Sequence, residues 1–170
     1  MTGMPRGPLE MHDDVALDLS CKIAKQTAAD LGDKYVPTPG QDIVAAMVEG
    51  GRFGRKNGKG FYDYPEAKGQ PKTLWKGLSE LAPVKINDSD DALVAELKTR
   101  LLYRQAVEAA RCWEEGVVDD PREADVGAIL GWGFAPWTGG PITLIDQAGL
   151  KDFVATCDRL AQAYGVRFSP

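Results

Sequence analysis

PWTGGPITLID, residues 136–146, decides how this chain is read, because a looser version of it, PRGPLEMHD, residues 5–13, stands near the other end. Aligning Gly7-Pro8 with Gly140-Pro141 fixes an offset of 133 residues. The same gapless offset pairs Asp13 with Asp146, Leu17 with Leu150, Ala28 with Ala161 and Gly32 with Gly165. Identity over Gly7 to Gly32 is 6 of 26 positions, so two readings stay open: an internal repeat, or two ordinary helical hairpins that share start and stop signals. Either way each copy predicts the same local structure. Proline at the first helical position loses no needed donor, and the glycine at the far end suits a helix C-terminus. In the first copy Leu17, Cys21, Ala24, Ala28 and Leu31 recur at helical spacing, which predicts the longer arm of a hairpin.

Working outward, Thr38-Pro39-Gly40-Gln41 reads as a capping box opening the helix DIVAAMVEG, which stops at Gly50-Gly51. The stretch GGRFGRKNGKG follows, with Asn57-Gly58 as a turn, and GFYDY alternates well enough for a short extended segment. Residues 65–88 mix helix breakers with isolated apolar side chains and read as a linker. From about Ser89 the strongest helix of the chain begins, with Leu93, Leu97 and Leu101 on one stripe and Leu102, Ala106, Ala110 and Trp113 on the adjoining one. Asp120-Pro121 opens another helix, through Ile129, and GWGFAPWTGG leads into the second hairpin. The expected fold class is all-α, in two tandem related helical halves: 1–64, a linker over 65–88, and 89–170.

Composition narrows the function classes. With 170 residues, 44% apolar and 26% charged, the chain fits one ordinary globular domain with the length to bury a core. It holds no run of about 18 apolar residues and no secretory signal pattern, so no membrane span is expected and a cytoplasmic location is. Cys21, Cys112 and Cys157 are odd in number and include no C-x-x-C pair, which argues for reduced, buried thiols over a disulfide framework or a zinc knuckle. A net charge of −5 gives no general attraction to nucleic acid, and none is expected as a partner; the local exception is Arg52, Arg55, Lys56 and Lys59.

Several motifs have both a chemical and a plain structural reading. In RFGRKNGKGF, glycine amides beside Arg55, Lys56 and Lys59 could contact an anion, or the loop could be a solvated Asn-Gly turn anchored by its aromatic tail. GWGFAP has two glycines at dinucleotide-fingerprint spacing, but it follows a helix and lacks the third glycine, so it is no nucleotide site. His12 is the one histidine, and no serine stands in a G-x-S-x-G context, which leaves no nucleophilic triad and no multi-histidine metal site. Asp119, Asp120, Glu123 and Asp125 lack calcium-loop spacing and read as charge complementing a helix start. Trp132, Phe134, Pro136 and Trp137 read as core packing ahead of an apolar pocket.

Taken together, GMPRGPLEMHDDVALD, GRFGRKNGKGFYDY, RLLYRQAVEAARCWEEGVV and AILGWGFAPWTGGPITLID resemble the C-terminal helical domain of 3-hydroxyacyl-CoA dehydrogenases, in that family's order and over nearly the whole chain. The duplicated Gly-Pro segment is most like the multifunctional alpha subunits of the fatty acid oxidation complex, which carry two copies. The resemblance implies a fold of the 6-phosphogluconate dehydrogenase C-terminal type, with the halves packed as an internal pseudo-dimer. It further implies NAD-dependent oxidation of a 3-hydroxyacyl-CoA in beta-oxidation, with an N-terminal cofactor domain and a thiolase subunit as partners. The catalytic dyad and the NAD-binding fold would precede Met1, so the fragment is expected to be inactive alone, with no catalytic residue, cofactor or metal of its own. Met4, Pro5, Gly7 and Pro8 match the family turn facing the acyl group, with Arg6 and His12 departing from the usual residues. Phe134, Pro136, Gly140 and Pro141 match its structural counterpart in the second copy, and Arg55, Lys56 and Lys59 match the family's basic loop. The alternative expectation is a non-catalytic helical interaction module that keeps the family packing.

Overall fold

A computed structural model describes residues 2–38, 40–67, 69–83 and 90–170. The chain divides into two compact units: Arg6–Lys85, and Ile86–Pro170 together with Met1–Pro5. Helices dominate both, as the apolar periodicity predicts.

In the unit Arg6–Lys85, α1 (Pro8–Val15) and α2 (Leu17–Leu31) form the first hairpin, with Gly7 before the helix and Pro8 in its first turn. Helix α3 (Gln41–Glu49) follows. Its entry differs from the expected capping box: Gly40 is the cap residue at φ 92°, and the Gln41 side-chain amide donates to Thr38 Oγ1 (3.0 Å), tying two side chains in place of backbone amides. Pro39 lies outside the described residues. The stretch read as a linker contributes structure where it is described. Strand β2 (Thr73–Leu74) pairs antiparallel with β1 (Tyr62–Asp63), and the short helix α4 (Leu78–Leu81) follows. Leu17, Met47 and Phe61 are buried at the centre, with Leu9, Ile43, Val44, Val48, Trp75 and Leu78 against them. Isolated apolar residues between breakers carry no period, yet Trp75 and Leu78 close this small core.

In the other unit, α5 (Asp91–Glu114) starts after Asp90, whose carboxylate accepts from Leu93 N (3.1 Å) and satisfies one of the four free amides of the first turn. Helices α6 (Pro121–Trp132), α7 (Pro141–Ala148) and α8 (Leu150–Tyr164) complete it. Of the two stripes on α5, Leu102, Ala106 and Val107 are buried against Ala128, Phe134, Ile142, Phe153 and Cys157, whereas Leu97 and Leu101 stay exposed. Tyr103 stacks on Phe153 at 4.6 Å between ring centroids.

The two hairpins correspond beyond their start and stop signals. Helices α1 and α2 have 8 and 15 residues, and so do α7 and α8. The residue between the helices is Ala16 in one (φ 82°, ψ 128°) and Gly149 in the other (φ 79°, ψ 127°), related by the same offset as the sequence repeat. Ala16 is the one non-glycine residue with positive φ among those described.

Candidate functional site

The Met4–Pro8 turn has two parts. Met4 is half-buried against the core built from α5 to α8, and its Sδ lies 3.5 Å from Gln105 Nε2. The Pro5 ring covers Gly133, where a Cβ would meet it at 2.7 Å. Gly7 and Pro8 open α1, where the Gly7 carbonyl accepts from Met11 N (3.1 Å).

The basic loop is organised around a carboxylate that sequence reading left unassigned. Asp13, 1% exposed, accepts from Phe61 N (2.7 Å), Tyr62 N (2.9 Å) and the Tyr64 hydroxyl (3.0 Å). Three bonds converging on one buried side chain anchor GFYDY to α1. The approach is close enough that only glycine fits at positions 54 and 60, where a Cβ would strike the Asp13 backbone and carboxylate respectively. Burial and the Asp13 carboxylate together push the Tyr64 hydroxyl well above its ordinary pKa, so it remains a donor.

Charges on the loop are mostly engaged. Arg52, read from sequence as part of a basic patch, is instead buried: its Nε donates to Gly60 O (2.8 Å), its Nη2 pairs with Asp63 Oδ1 (2.5 Å), and its guanidinium lies 4.2 Å from the Trp75 ring centroid. Arg55 pairs with Asp14 (3.3 Å), and Lys56 pairs with Asp18, whose carboxyl that contact holds below the usual range. Lys59 is exposed and exchanges backbone hydrogen bonds with Gly54 (2.8 and 3.2 Å). A cavity of about 650 Å³ lies alongside, lined among others by Arg55, Lys59, Tyr64 and Lys72, and by Glu10 and Glu66. Lys72 is paired with Glu10 there. Of the cations named in the lining, Arg55 and Lys72 already face carboxylates.

In the second copy, Phe134 and Pro141 are fully buried, Gly140 is buried and Pro136 is exposed. Asp125, grouped by sequence with a helix-start cluster, has a different task. Its carboxylate accepts from Ile142 N (2.7 Å), Thr143 N (3.2 Å) and Thr143 Oγ1 (2.6 Å), capping α7 from another helix, and a Cβ on Gly140 would strike it. Asp120 does cap its own helix: it accepts from Arg122 N (2.8 Å), and the Arg122 side chain and amide lower its pKa to about 2. Asp146, the match of Asp13 in the repeat, is exposed.

The aromatic loop is only partly core. Phe134, Ala135 and Thr138 are fully buried, but Trp137 is 64% exposed and its indole N–H donates to Thr2 O (2.7 Å). In GWGFAP, Gly133 (φ 73°) ends α6, with Phe134 N donating to Ala128 O (3.0 Å). These residues form a helix C-cap and do not fit a dinucleotide, whose phosphates need a strand, a glycine turn and a helix N-terminus. His12 is exposed and packs edge-on to Phe61 at 6.0 Å. Of the thiols only Cys157 is buried, and burial raises its pKa to about 11. No group of metal-ligating side chains and no helix long and apolar enough to cross a membrane occurs among the described residues.

Comparison with known proteins bears on these features. Residues 1–64 match the family described as 3-hydroxyacyl-CoA dehydrogenase, C-terminal domain. Over 169 residues the chain is 38% identical to the fatty acid oxidation complex subunit alpha of Vibrio vulnificus, covering 99% of this chain and 23% of that protein. The chain is homologous to that alpha subunit family. The corresponding subunit of Shewanella frigidimarina is 38% identical over 170 residues, again at 99% and 23% coverage. The chain therefore spans about a quarter of the length of these relatives. Among solved structures, Escherichia coli K12 3-hydroxybutyryl-CoA dehydrogenase matches with a TM-score of 0.66 and 17% identity, over 99% of this chain and 50% of that one. At that identity the likeness speaks for the fold alone.

Proposed function

We propose that this chain is the substrate-side and dimerisation portion of an NAD-dependent 3-hydroxyacyl-CoA dehydrogenase acting in fatty acid beta-oxidation, within a multifunctional alpha subunit. The observation that carries the proposal is end-to-end correspondence, over 99% of the chain, with fatty acid oxidation complex alpha subunits. On this reading a separate N-terminal cofactor domain binds NAD and supplies the proton-accepting group. Met4, Pro5, Gly7 and Pro8 then face the acyl portion of an acyl-CoA, and Phe134, Pro136, Gly140 and Pro141 keep the second copy folded. An internal pseudo-dimer of the two hairpin-bearing halves, and a thiolase subunit as an outside partner, belong to the same proposal. Support for the pairing is the repeated hairpin, with its matched helix lengths and matched break residue. An anion-contacting role is proposed for Lys59 ahead of Arg55 and Lys56, whose charges already face Asp14 and Asp18.

The test is NADH formation from a 3-hydroxyacyl-CoA, followed at 340 nm. A polypeptide carrying both an N-terminal cofactor domain and this chain should turn over, and residues 1–170 alone should not. Turnover by 1–170 alone, or none by the longer polypeptide with 3-hydroxyacyl-CoAs of short, medium and long chain, overturns the proposal. Light scattering on 1–170 checks the internal pairing: a monomer or weak dimer is expected, and an obligate tetramer counts against it.

A further inference from the structure

Met4 and Pro5 lie in a seat whose other parts come from far along the chain. The Trp137 indole N–H donates to Thr2 O (2.7 Å) from 135 positions away. The same ring lies over Gly3, whose φ is 90° and where a Cβ would meet Trp137 Cδ1 and Nε1 at 2.7 Å; any other residue is disfavoured there by both backbone and ring. Gln105 is held in turn by the Trp132 indole, which donates to Gln105 Oε1 (3.2 Å), and it presents Nε2 to Met4 Sδ (3.5 Å). Pro5 closes over Gly133, whose own φ of 73° and missing Cβ leave room for the proline ring. Four consecutive residues, Thr2 to Pro5, thus each meet a residue of the loop or of α5, and all lie in one compact unit. A segment resting on the surface by chance would not need Gly3, while Gly133 also ends α6 in the left-handed region.

From this geometry we infer that Trp137, Gln105 and Gly133 form a clasp whose occupant is the segment Thr2–Pro5, making them positioning residues that set where Met4 and Pro5 stand. The second copy is then more than a structural duplicate. Its aromatic loop holds Thr2–Pro5 within their shared compact unit, and Trp137, though 64% exposed, serves there as a latch and not as core. The consequence for substrate rests on the proposed dehydrogenase reading; the clasp itself does not.

Two experiments separate these parts. In residues 1–170, NMR should show contacts between the Gly3 α-protons and the Trp137 indole, with the Gly3 resonances displaced from random-coil positions by the ring. Trp137→Leu should return Gly3 to random-coil values and shift the Met4 methyl. Gly3→Ala, which leaves the core untouched, should release the Trp137 indole N–H to solvent exchange. Random-coil Gly3 shifts in the unsubstituted protein, or shifts unmoved by Trp137→Leu, overturn the clasp. In the polypeptide with its cofactor domain, Trp137→Leu should raise KM for the acyl-CoA by about three- to tenfold with KM for NAD unchanged, and Trp137→Phe, keeping the ring without the donor, should fall between. A broken clasp with an unaltered KM for acyl-CoA overturns the positioning role. Absence of any turnover in that unsubstituted polypeptide sinks the dehydrogenase reading instead and leaves the clasp to the NMR result.

Discussion

Replacing Ala16 by glycine should stabilise this protein. Ala16 sits between α1 and α2 at φ 82°, ψ 128°, a region that side chains with a Cβ avoid and that costs such residues about 1–3 kcal/mol. Glycine removes that strain but adds unfolded-chain entropy worth about 0.4–1 kcal/mol. Taken at mid-range, the difference is a net gain of about 1–2 kcal/mol. The other hairpin provides the reverse experiment, because Gly149 occupies the same conformation at φ 79°, ψ 127°, and a Cβ built there meets no atom within 4 Å. Gly149→Ala therefore carries backbone strain without a packing clash, and the same two contributions with opposite sign predict a loss of about 1–2 kcal/mol. Urea denaturation followed by circular dichroism reads both as shifts of midpoint at constant m-value. A lower midpoint for Ala16→Gly, or no change for Gly149→Ala, would refute the equivalence of the two breaks and the strain assigned to Ala16.

Three other outcomes follow from the side chains that hold the helices and the loop. Asp13→Ala leaves the amides of Phe61 and Tyr62 and the Tyr64 hydroxyl without their acceptor and should cost about 3–5 kcal/mol in urea, whereas Asp146→Ala, at an exposed site, should change stability by less than about 0.5 kcal/mol. Cys157, buried with its thiol pushed up to about 11, should resist iodoacetamide at pH 8 until urea unfolds the protein, while the partly exposed Cys21 and Cys112 react first; mass spectrometry of the labelled peptides decides. The Asp120 carboxyl is depressed to about 2 against an unfolded value near 4, so its cap on α6 contributes fully above about pH 4 and is lost as pH falls through 2. Asp120→Asn should flatten the acid limb of stability over that window, and an unchanged limb would contradict the assignment.

Helix content, the two Gly-Pro hairpins and their glycine stops were legible in the sequence because each rests on neighbours within a few residues: a proline in the first turn, an apolar period of 3.6, a glycine after the last turn. The residues matching the dehydrogenase family were legible for the same reason, as contiguous motifs. Asp13 was visible in the repeat as the match of Asp146, but nothing local to it showed that it is buried while Asp146 is exposed. Asp125 looked like one more acid at a helix start and proves to cap a different helix. Arg52 and Trp137 likewise read as a surface cation and a core aromatic, and each is the other way round.

What the sequence determined by itself was most of the helical segments and the glycine stops of the two hairpins, since hydrogen bonds within a helix join residues four apart. Tertiary structure alone decided which charges are spent and which carboxylates are buried. Asp13 meets Phe61 across 48 positions and Trp137 meets Thr2 across 135, and no local pattern records partners brought together only when the chain has packed.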